Sequence, residues 1–251
     1  MDVYARLKEK LRNREKISMA NLMVMTSPLM LPAFKGADCI LLDKEHGLYG
    51  TEELVPLLMQ CRAMKLPSIV RVEDSQYHLI AKAIDLGADG IMLPRTETVE
   101  QVKTAVEAMH FGPIGRTGVG GWGIFREGED FDAFQKGRIL LPQIESPKGL
   151  AAMPDMLEAY GDYIDGFIVG PNDYSVMKGV PLQIDHPSLK PEFEKFFEIC
   201  QKAGKSCGIF DPDLAHARLH RSMGANVFWI GSDMSYVQDG FGALLKGLDE
   251  M

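Results

Sequence analysis

Short apolar runs recur along the whole chain and alternate with longer segments whose apolar residues follow helical spacing. The runs are continuously apolar rather than alternating, which is typical of parallel strands that are buried on both faces. Glycine before a small residue closes several helical segments, as at Gly87-Ala88, where a left-handed cap can end a helix before the next strand. The eight predicted strands are 21–25, 39–43, 68–72, 90–94, 139–145, 166–170, 206–210 and 227–231.

Eight strand–helix units with short connections predict an α/β fold, a (β/α)8 TIM barrel, with a doubly wound parallel sheet as the alternative. A chain of 251 residues is the usual size for one such barrel, and no linker-like composition divides it. We therefore expect a single domain over 1–251. The glycine-rich stretch 111–138 is expected to be irregular, and loops of that length usually act as lids or interface segments. Helices are predicted at 52–64, 77–86, 99–109 and 191–203.

Composition narrows the partners of the protein. The formal net charge is -8, which argues against nucleic acid or an anionic membrane as the main partner, because either would require a basic face. No apolar run is long enough to span a bilayer, and the amino terminus is charged rather than signal-like, so a cytoplasmic location is expected. The four cysteines form no C-x-x-C pair and are expected to be buried free thiols.

Ionisable and polar side chains gather at the carboxyl ends of the predicted strands, the face where α/β barrels place their catalytic groups. Glu145 and Asp173 would come from adjacent strands, and both are hard oxygen donors of the kind that Mg²⁺ or Mn²⁺ prefers. The alternative is that each carboxylate caps the following helix or pairs with a nearby base. The full set comprises Asp43, Glu45, His46, Arg71, Gln143, Glu145 and Asp173.

Arg71 interrupts an apolar strand, where a buried guanidinium needs an anionic partner. That partner is either a structural carboxylate inside the barrel or a carboxylate or enolate of the substrate, and the crowding of acidic residues at the same mouth favours the second. The turn from Gly170 to Asp173 offers backbone amides that could bind a carboxylate, although it could also be an ordinary β-to-α turn.

Four segments together resemble, in order and spacing, the HpcH/HpaI aldolases. They are 43–47 (Asp-Lys-Glu-His-Gly), 69–71 (Ile-Val-Arg), 141–145 (Leu-Pro-Gln-Ile-Glu) and 167–175 (Phe-Ile-Val-Gly-Pro-Asn-Asp-Tyr-Ser). The resemblance covers nearly the whole chain. It implies a class II pyruvate aldolase on a (β/α)8 barrel of the phosphoenolpyruvate/pyruvate type, similar to the 2,4-dihydroxyhept-2-ene-1,7-dioate and 2-keto-3-deoxy-sugar-acid aldolases.

The activity implied is reversible cleavage of a 4-hydroxy-2-oxo acid to pyruvate and an aldehyde through a metal-bound enolate, with Mg²⁺, Mn²⁺ or Co²⁺ as cofactor. The partners expected are therefore a small-molecule 2-oxo acid and an aldehyde. One alternative is a related metal-enolate lyase or an oxaloacetate-type decarboxylase. Another, from a different class, is a catalytically silent barrel that serves as a binding or assembly protein.

The resemblance also assigns roles to individual residues. Glu145 and Asp173 would be the metal ligands, and Glu45 would act on the metal through a bound water. His46 would be the general base, with Asp43 as its neighbour. The pyruvate or its enolate would be held by Arg71, Gln143, Gly170, Pro171, Asn172 and Asp173.

Asp85 matches the family aspartate that pairs with the catalytic histidine, yet its predicted position lies at the opposite end of the barrel from His46. We therefore expect Asp85 to act on His46 of a neighbouring subunit, in keeping with the homohexamers, built as trimers of dimers, that the family implies. The segment from Met19 to Met25 lacks the tryptophan of better-known sugar-acid aldolases of this family. That departure leaves the aldehyde partner open.

Overall fold

Eight parallel strands close into a barrel in sequence order in the computed structural model, which describes residues 3–120 and 124–251. Closure is direct, because β1 pairs with β8 as well as with β2. The (β/α)8 prediction is confirmed, and the doubly wound alternative is wrong. The strands are β1 Ile17–Leu22, β2 Cys39–Asp43, β3 Ser68–Arg71, β4 Gly90–Leu93, β5 Ile139–Ile144, β6 Gly166–Val169, β7 Ser206–Asp211 and β8 Val227–Ile230.

Helices follow or precede the strands around the outside of the barrel. Four of them, α2, α3, α4 and α8, begin and end within one residue of the predicted bounds. The helices are α1 Val3–Arg12, α2 Thr51–Ala63, α3 Tyr77–Asp85, α4 Val99–Met109, α5 Phe131–Gly137, α6 Pro147–Tyr160, α7 Pro171–Met177, α8 Lys190–Lys202, α9 Leu214–Met223 and α10 Asp233–Asp249, and short 3₁₀ helices span Pro28–Phe34 and Gly161–Tyr163.

The first strand lies earlier in the chain than predicted. The predicted strand 21–25 is wrong at both ends, since β1 begins at Ile17 and ends at Leu22. The carboxyl end is set by Asp233, whose buried carboxylate accepts hydrogen bonds from three consecutive amides, those of Met23 (3.0 Å), Val24 (2.9 Å) and Met25 (2.8 Å). These amides are thereby removed from the sheet ladder.

The prediction that the glycine-rich stretch 111–138 is irregular is wrong for its last part, because α5 lies there. The carboxylate of Asp130 caps this helix by accepting a hydrogen bond from the amide of Ala133 (2.8 Å). Phe134 anchors it in the core beside Phe111, with ring centroids 4.7 Å apart. Residues 121–123 of the predicted stretch lie outside the described residues.

The core has two layers, one inside the barrel and one between the strands and the helices. The four cysteines are buried and free, as predicted. Within 3–120 and 124–251, no helix is both long and apolar enough to cross a membrane. The inner layer is built from inward side chains such as Met19, Leu41, Ile69, Met92, Leu141, Ile168 and Trp229.

The last helix, α10, does not pack on the barrel along its length. Asp233 is its only buried residue, and its apolar side chains remain exposed. Beside it, the outward side chains of β8 and the first two outward side chains of β1 are only partly covered, unlike those of the other strands, whereas Leu22 at the end of β1 is buried. The exposed apolar residues of α10 are Met234, Val237, Phe241, Leu244, Leu245 and Leu248. The partly covered strand residues are Ser18, Ala20, Phe228 and Ile230.

Candidate active site

A buried arginine–carboxylate pair lies at the carboxyl end of β2 and β3, whose register places Asp43 directly beside Arg71. Arg71 donates from Nε to Oδ1 of Asp43 (2.8 Å) and from Nη2 to Oδ2. Its Nη1 lies 3.3 Å from Oε2 of Glu45. Burial opposes the charge of the guanidinium, but the hydrogen bonds of Asp43 and the nearby carboxylates outweigh it and raise the pKa of Arg71. The arginine is therefore fixed in position and charged.

Asp43 also shapes the turn that carries His46. Its Oδ1 accepts hydrogen bonds from the amides of Glu45 (3.0 Å) and His46 (3.3 Å). The turn requires glycine next, because a Cβ at Gly47 would lie 2.0 Å from the carbonyl oxygen of Asp43. The imidazole of His46 is 54% exposed, and its Nε2 lies 3.8 Å from Oε2 of Glu45. Asp43 thus contacts the backbone of His46, whereas Glu45 is the carboxylate beside its ring.

Gln143 and Glu145 connect the Arg71–Asp43 pair to β5 and to the residue that follows β6. Gln143 accepts a hydrogen bond from Nη1 of Arg71 (3.4 Å) and donates one from Nε2 to Oε1 of Glu145 (2.6 Å). The other oxygen of Glu145 accepts from the amide of Arg95 (3.0 Å). A Cβ at Gly170 would lie only 2.0 Å from Oε1 of Glu145, so glycine alone permits this close approach.

The mouth of the barrel carries more carboxylates than its two arginines, Arg71 and Arg95, can offset. Burial, followed by the charges of Glu45 and Asp173, raises the pKa of Glu145 to about 8. Burial also raises the pKa of Glu45, whose Oε2 is buried with no hydrogen-bond partner. Crowded, desolvated carboxylates of this kind are relieved by a bound cation.

Glu145 and Asp173 both line the cavity and carry hard oxygen donors, the type of group that suits a divalent metal. No cluster of three or more histidine, cysteine or acidic side chains converges as a ready metal site in the described part of the chain. Two protein ligands would leave the remaining positions of an octahedral ion to water and substrate.

One cavity of about 140 Å³ opens among these groups. The structure brings eight of the predicted site residues onto its wall, and Asp43 and Glu45 contact Arg71 without lining the cavity themselves. The cavity is lined by Asn21, Met23, His46, Arg71, Gln143, Glu145, Gly170, Pro171, Asn172, Asp173, Phe210 and Trp229.

Asp85 lies elsewhere, as the last residue of α3, which leads into the amino-terminal end of β4. Burial raises the pKa of its carboxyl, and Lys82 only partly opposes this effect. Asp85 makes no hydrogen bond or ion pair with any residue in 3–120 or 124–251, and it does not line the cavity. The structure does not place it near His46 of the same chain.

Four residues at the mouth were not predicted from the sequence. Asn21, Phe210 and Trp229 line the cavity, and Arg95 follows β4 with its Nε 3.2 Å from Oε1 of Glu45. Asn21 had the same signal as Arg71, a polar residue within an apolar strand. Arg95 had the same sequence signal as Glu45, a charged residue that follows a strand. In the structure its φ is 43°, a left-handed backbone conformation that is uncommon outside glycine.

Comparison with known proteins agrees with this architecture. Residues 25–239 match the model of the HpcH/HpaI aldolase/citrate lyase family. The chain belongs to this family. It is accordingly an aldolase-type carbon–carbon lyase, as the resemblance implied.

Individual relatives agree with this family and fold. The chain is 31% identical over 215 residues to a 2-keto-3-deoxy-L-rhamnonate aldolase from Klebsiella pneumoniae, covering 83% of this chain and 79% of that protein. The crystal structure of an HpcH/HpaI aldolase/citrate lyase family protein from Burkholderia cenocepacia superposes with a TM-score of 0.88 at 26% identity, covering 97% of this chain and 99% of the other. An HpcH/HpaI aldolase from Desulfitobacterium hafniense shares the fold, with a TM-score of 0.87 at 24% identity and coverage of 98% and 97%.

Proposed function

We propose that this protein is a divalent-metal-dependent aldolase that reversibly cleaves a 4-hydroxy-2-oxo acid into pyruvate and an aldehyde. The observation that carries the proposal is the convergence of a buried arginine, two oxygen ligands and a half-exposed histidine on one small cavity at the carboxyl ends of the strands. Relatives named as aldolases of a keto-deoxy sugar acid, at 30% identity or more, support the same chemistry.

The proposed metal is Mg²⁺, Mn²⁺ or Co²⁺, held by Glu145 and Asp173, with Glu45 acting through a bound water. When bound, such an ion polarises the oxygen atoms of an oxo acid and so makes its methyl or methylene protons more acidic. The excess of carboxylates over cations at the mouth supports this assignment. Glycine at 170 allows the carboxylate of Glu145 to occupy its position.

Arg71 and Gln143 bind the carboxylate of the oxo acid and stabilise the negative charge that develops when it becomes an enolate. Asp43 fixes the guanidinium before substrate arrives, so little reorganisation is required during the reaction. The amides of Asn172 and Asp173, at the start of α7, add donors beside the same cavity, since Pro171 has no N–H and the amide of Gly170 donates to the carbonyl oxygen of Ile144 (3.2 Å).

His46 transfers the proton. In the cleavage direction its imidazole takes the proton from the 4-hydroxyl group, the carbon–carbon bond breaks, and the aldehyde departs while the enolate of pyruvate remains to be protonated. Asp43 is a positioning residue, because it binds the backbone of His46 and the side chain of Arg71 at once. Glu45, 3.8 Å from Nε2, supports the positive charge that the imidazole gains.

The test is the exchange of pyruvate methyl protons with D₂O, followed by NMR in the presence of Mg²⁺, Mn²⁺ or Co²⁺. We expect exchange that a chelator abolishes and that His46→Ala reduces by about 100-fold, the usual contribution of a general base. No exchange with any of the three ions would contradict the proposal. Release of pyruvate from hydroxy-oxo acids, rather than of CO₂ from oxaloacetate, then separates an aldolase from a decarboxylase.

We further propose a homo-oligomer, a hexamer built as a trimer of dimers, in which α10 of one copy covers the β8–β1 face of another. The exposed apolar side chains of α10 and the partly covered outward side chains of β8 and β1 support this pairing, because each lacks in the monomer the apolar contact that the other offers. Phe241→Asp should shift the mass measured by light scattering towards the monomer. Lys246→Asp, a charge change on the same helix, is the matched control.

Within that oligomer, Asp85 is proposed to act on His46 of a neighbouring subunit. Mixed oligomers of Asp85→Asn and His46→Ala subunits should regain part of the activity, since some interfaces then carry both native residues. A mixture of His46→Ala and His46→Gln subunits, which shares the same lesion, is the control. Verified mixed oligomers that stay inactive would contradict the assignment. A cytoplasmic location stays a prediction of the sequence.

A further inference from the structure

Two of the four cysteines lie together at the amino-terminal end of the barrel, away from the cavity at its mouth. Cys200 is in the last turn of α8, and Cys207 is the second residue of β7, with only residues 203–205 connecting the two elements. Both side chains are fully buried in the core layer between the strands and the helices. The thiol of Cys200 donates a hydrogen bond to Sγ of Cys207. The short connection thus brings two thiols within reach of each other.

Two further groups contact the sulfur of Cys207. Nη2 of Arg14 donates a hydrogen bond to it (3.7 Å) and another to the carbonyl oxygen of Gly224 (3.0 Å). The S–H group of Cys207 donates to the same carbonyl oxygen (3.4 Å). The hydrogen bond from Cys200 lowers the pKa of Cys207, and the charge of Arg14 adds to this effect, although burial opposes it. Cys207 is therefore the thiol of the pair that ionises more readily, and the thiolate is the nucleophilic form.

The other cysteines are in a different chemical state. Burial, together with the hydrogen bond that it donates, raises the pKa of Cys200, so this thiol keeps its proton. Burial also raises the pKa of Cys39 and that of Cys61, the latter to about 12. Neither of these two has a hydrogen bond to a second sulfur within 3–120 and 124–251. Only the pair on α8 and β7 combines a nucleophilic thiol with a second thiol beside it.

Arg14 separates Cys207 from solvent. It lies in the turn after α1, with a left-handed φ of 54°, and it is partly exposed while the thiols beneath it are not. Exposed side chains change rotamer within nanoseconds. Displacement of the Arg14 side chain gives a molecule as small as hydrogen peroxide a route to Cys207 that does not require the barrel to unfold.

We propose that Cys200 and Cys207 form a modification site, a dithiol that hydrogen peroxide oxidises to a disulfide joining α8 to β7. The thiolate of Cys207 attacks one peroxide oxygen, so an S–O bond forms, the O–O bond breaks, and the departing hydroxide takes up a proton to become water. The sulfur of Cys200 then attacks the sulfenic acid at Cys207. The S–S bond forms, the S–O bond breaks, and the second hydroxide leaves as water with the proton of Cys200.

The electrons balance, because two thiols lose two electrons and one hydrogen peroxide gains them. The site touches neither the cavity nor the proposed metal ligands, so the proposal does not depend on the proposed function. Because α8 and β7 already pack together, the bond should constrain mainly the unfolded chain. We expect it to raise the thermal midpoint by about 2–4 °C, and a lower midpoint would contradict a fold that accommodates the bond.

The test treats the folded chain with hydrogen peroxide and then counts thiols with Ellman's reagent in denaturant. We expect the count to fall from four to two and to return to four after dithiothreitol. Trypsin cleaves after Lys195, Lys202, Lys205 and Arg218, so the two cysteines fall on separate peptides. Mass spectrometry should find peptide 196–202 joined to peptide 206–218, about 2 Da lighter than the two reduced peptides together.

Serine variants assign the two roles. In Cys200→Ser the sulfenic acid of Cys207 has no partner, so dimedone should label it, whereas Cys200 in Cys207→Ser should stay unlabelled. Cys61→Ser is the matched control, because it removes a buried thiol of the same core layer and should keep the linked peptides. Where a serine variant does not fold, the alanine variant repeats the measurement.

Three results would overturn the proposal. The first is four remaining thiols in folded protein at a peroxide concentration that oxidises free cysteine. The second is a linked peptide that contains Cys39 or Cys61 in place of either member of the pair. The third is dimedone labelling of Cys200 in Cys207→Ser with none at Cys207 in Cys200→Ser, which would reverse the two roles.

Discussion

Replacing Gly170 by alanine tests the proposed metal site without substituting either proposed metal ligand, Glu145 or Asp173. The added Cβ would lie 2.0 Å from Oε1 of Glu145 and 2.8 Å from Nε2 of Gln143. Non-bonded heavy atoms rest at roughly 3.5 Å, so the carboxylate must move by more than about 1 Å or the turn must shift by a similar distance. The φ of Gly170 is -95°, which alanine adopts freely, so the effect is steric rather than conformational.

A displacement of that size at a reacting centre costs about 100-fold in rate, which corresponds to about 2.7 kcal/mol at 1.36 kcal/mol for each factor of ten. We expect Gly170→Ala to lower pyruvate proton exchange by that factor and to weaken metal binding measured by titration calorimetry. The overpacking should lower the free energy of unfolding by only about 1–3 kcal/mol, so the protein should stay folded at 25 °C.

Gly161→Ala is the matched control. No atom lies within 4 Å of a Cβ built at Gly161, and its φ of -53° is helical. This variant should keep wild-type exchange and metal affinity. A folded Gly170→Ala protein with exchange and metal affinity within twofold of wild type would refute the assignment of Glu145 as a metal ligand held by this close approach.

Three further predictions concern charge and ligation. Arg71→Lys keeps the charge but loses the paired hydrogen bonds to Asp43, so we expect about 2 kcal/mol less stability by urea denaturation, and no loss would argue against the pair. Burial raises the pKa of Asp38, but hydrogen bonds from Lys10 and Ser18 outweigh it and lower the pKa overall. The stability contributed by Asp38 is therefore present above about pH 4 and lost as the pH falls below it, so Asp38→Asn should cost about 1 kcal/mol at pH 7 and less at pH 3. Removing the metal with a chelator should lower the thermal midpoint, because an ion that binds only the native state stabilises it, and excess Mn²⁺ should restore the midpoint.

The barrel could be predicted because its signal is local and repeated. Continuous apolar runs alternate with amphipathic segments, and most strand and helix bounds follow from that alternation. The first strand could not be placed correctly, since its end depends on Asp233, more than 200 residues away in the sequence. Helix α5 had a local signal in Asp130, the capping aspartate, but the glycines before it dominated the prediction.

The candidate site was predictable where a polar residue stands out from an apolar strand or follows one. Arg71 and Glu145 were found in this way, and Asn21 and Arg95 carry the same signal. Trp229 does not, because a tryptophan within an apolar strand is ordinary core sequence. Its place at the mouth depends on the strand register, which fixes how far along the barrel each inward side chain lies.

The three amides that Asp233 binds tether the last helix to the rim of the barrel. Asp233 is the first residue of α10, and Met23, whose amide it holds, forms part of the cavity wall. A pull on α10 is thus transmitted through the carboxylate of Asp233, and through the hydroxyl of Tyr236, which accepts from the amide of Asn21 (3.3 Å), to the part of the cavity wall that Asn21 and Met23 form. If α10 docks on another copy, as proposed, the same contacts would link assembly to the position of this part of the cavity rim.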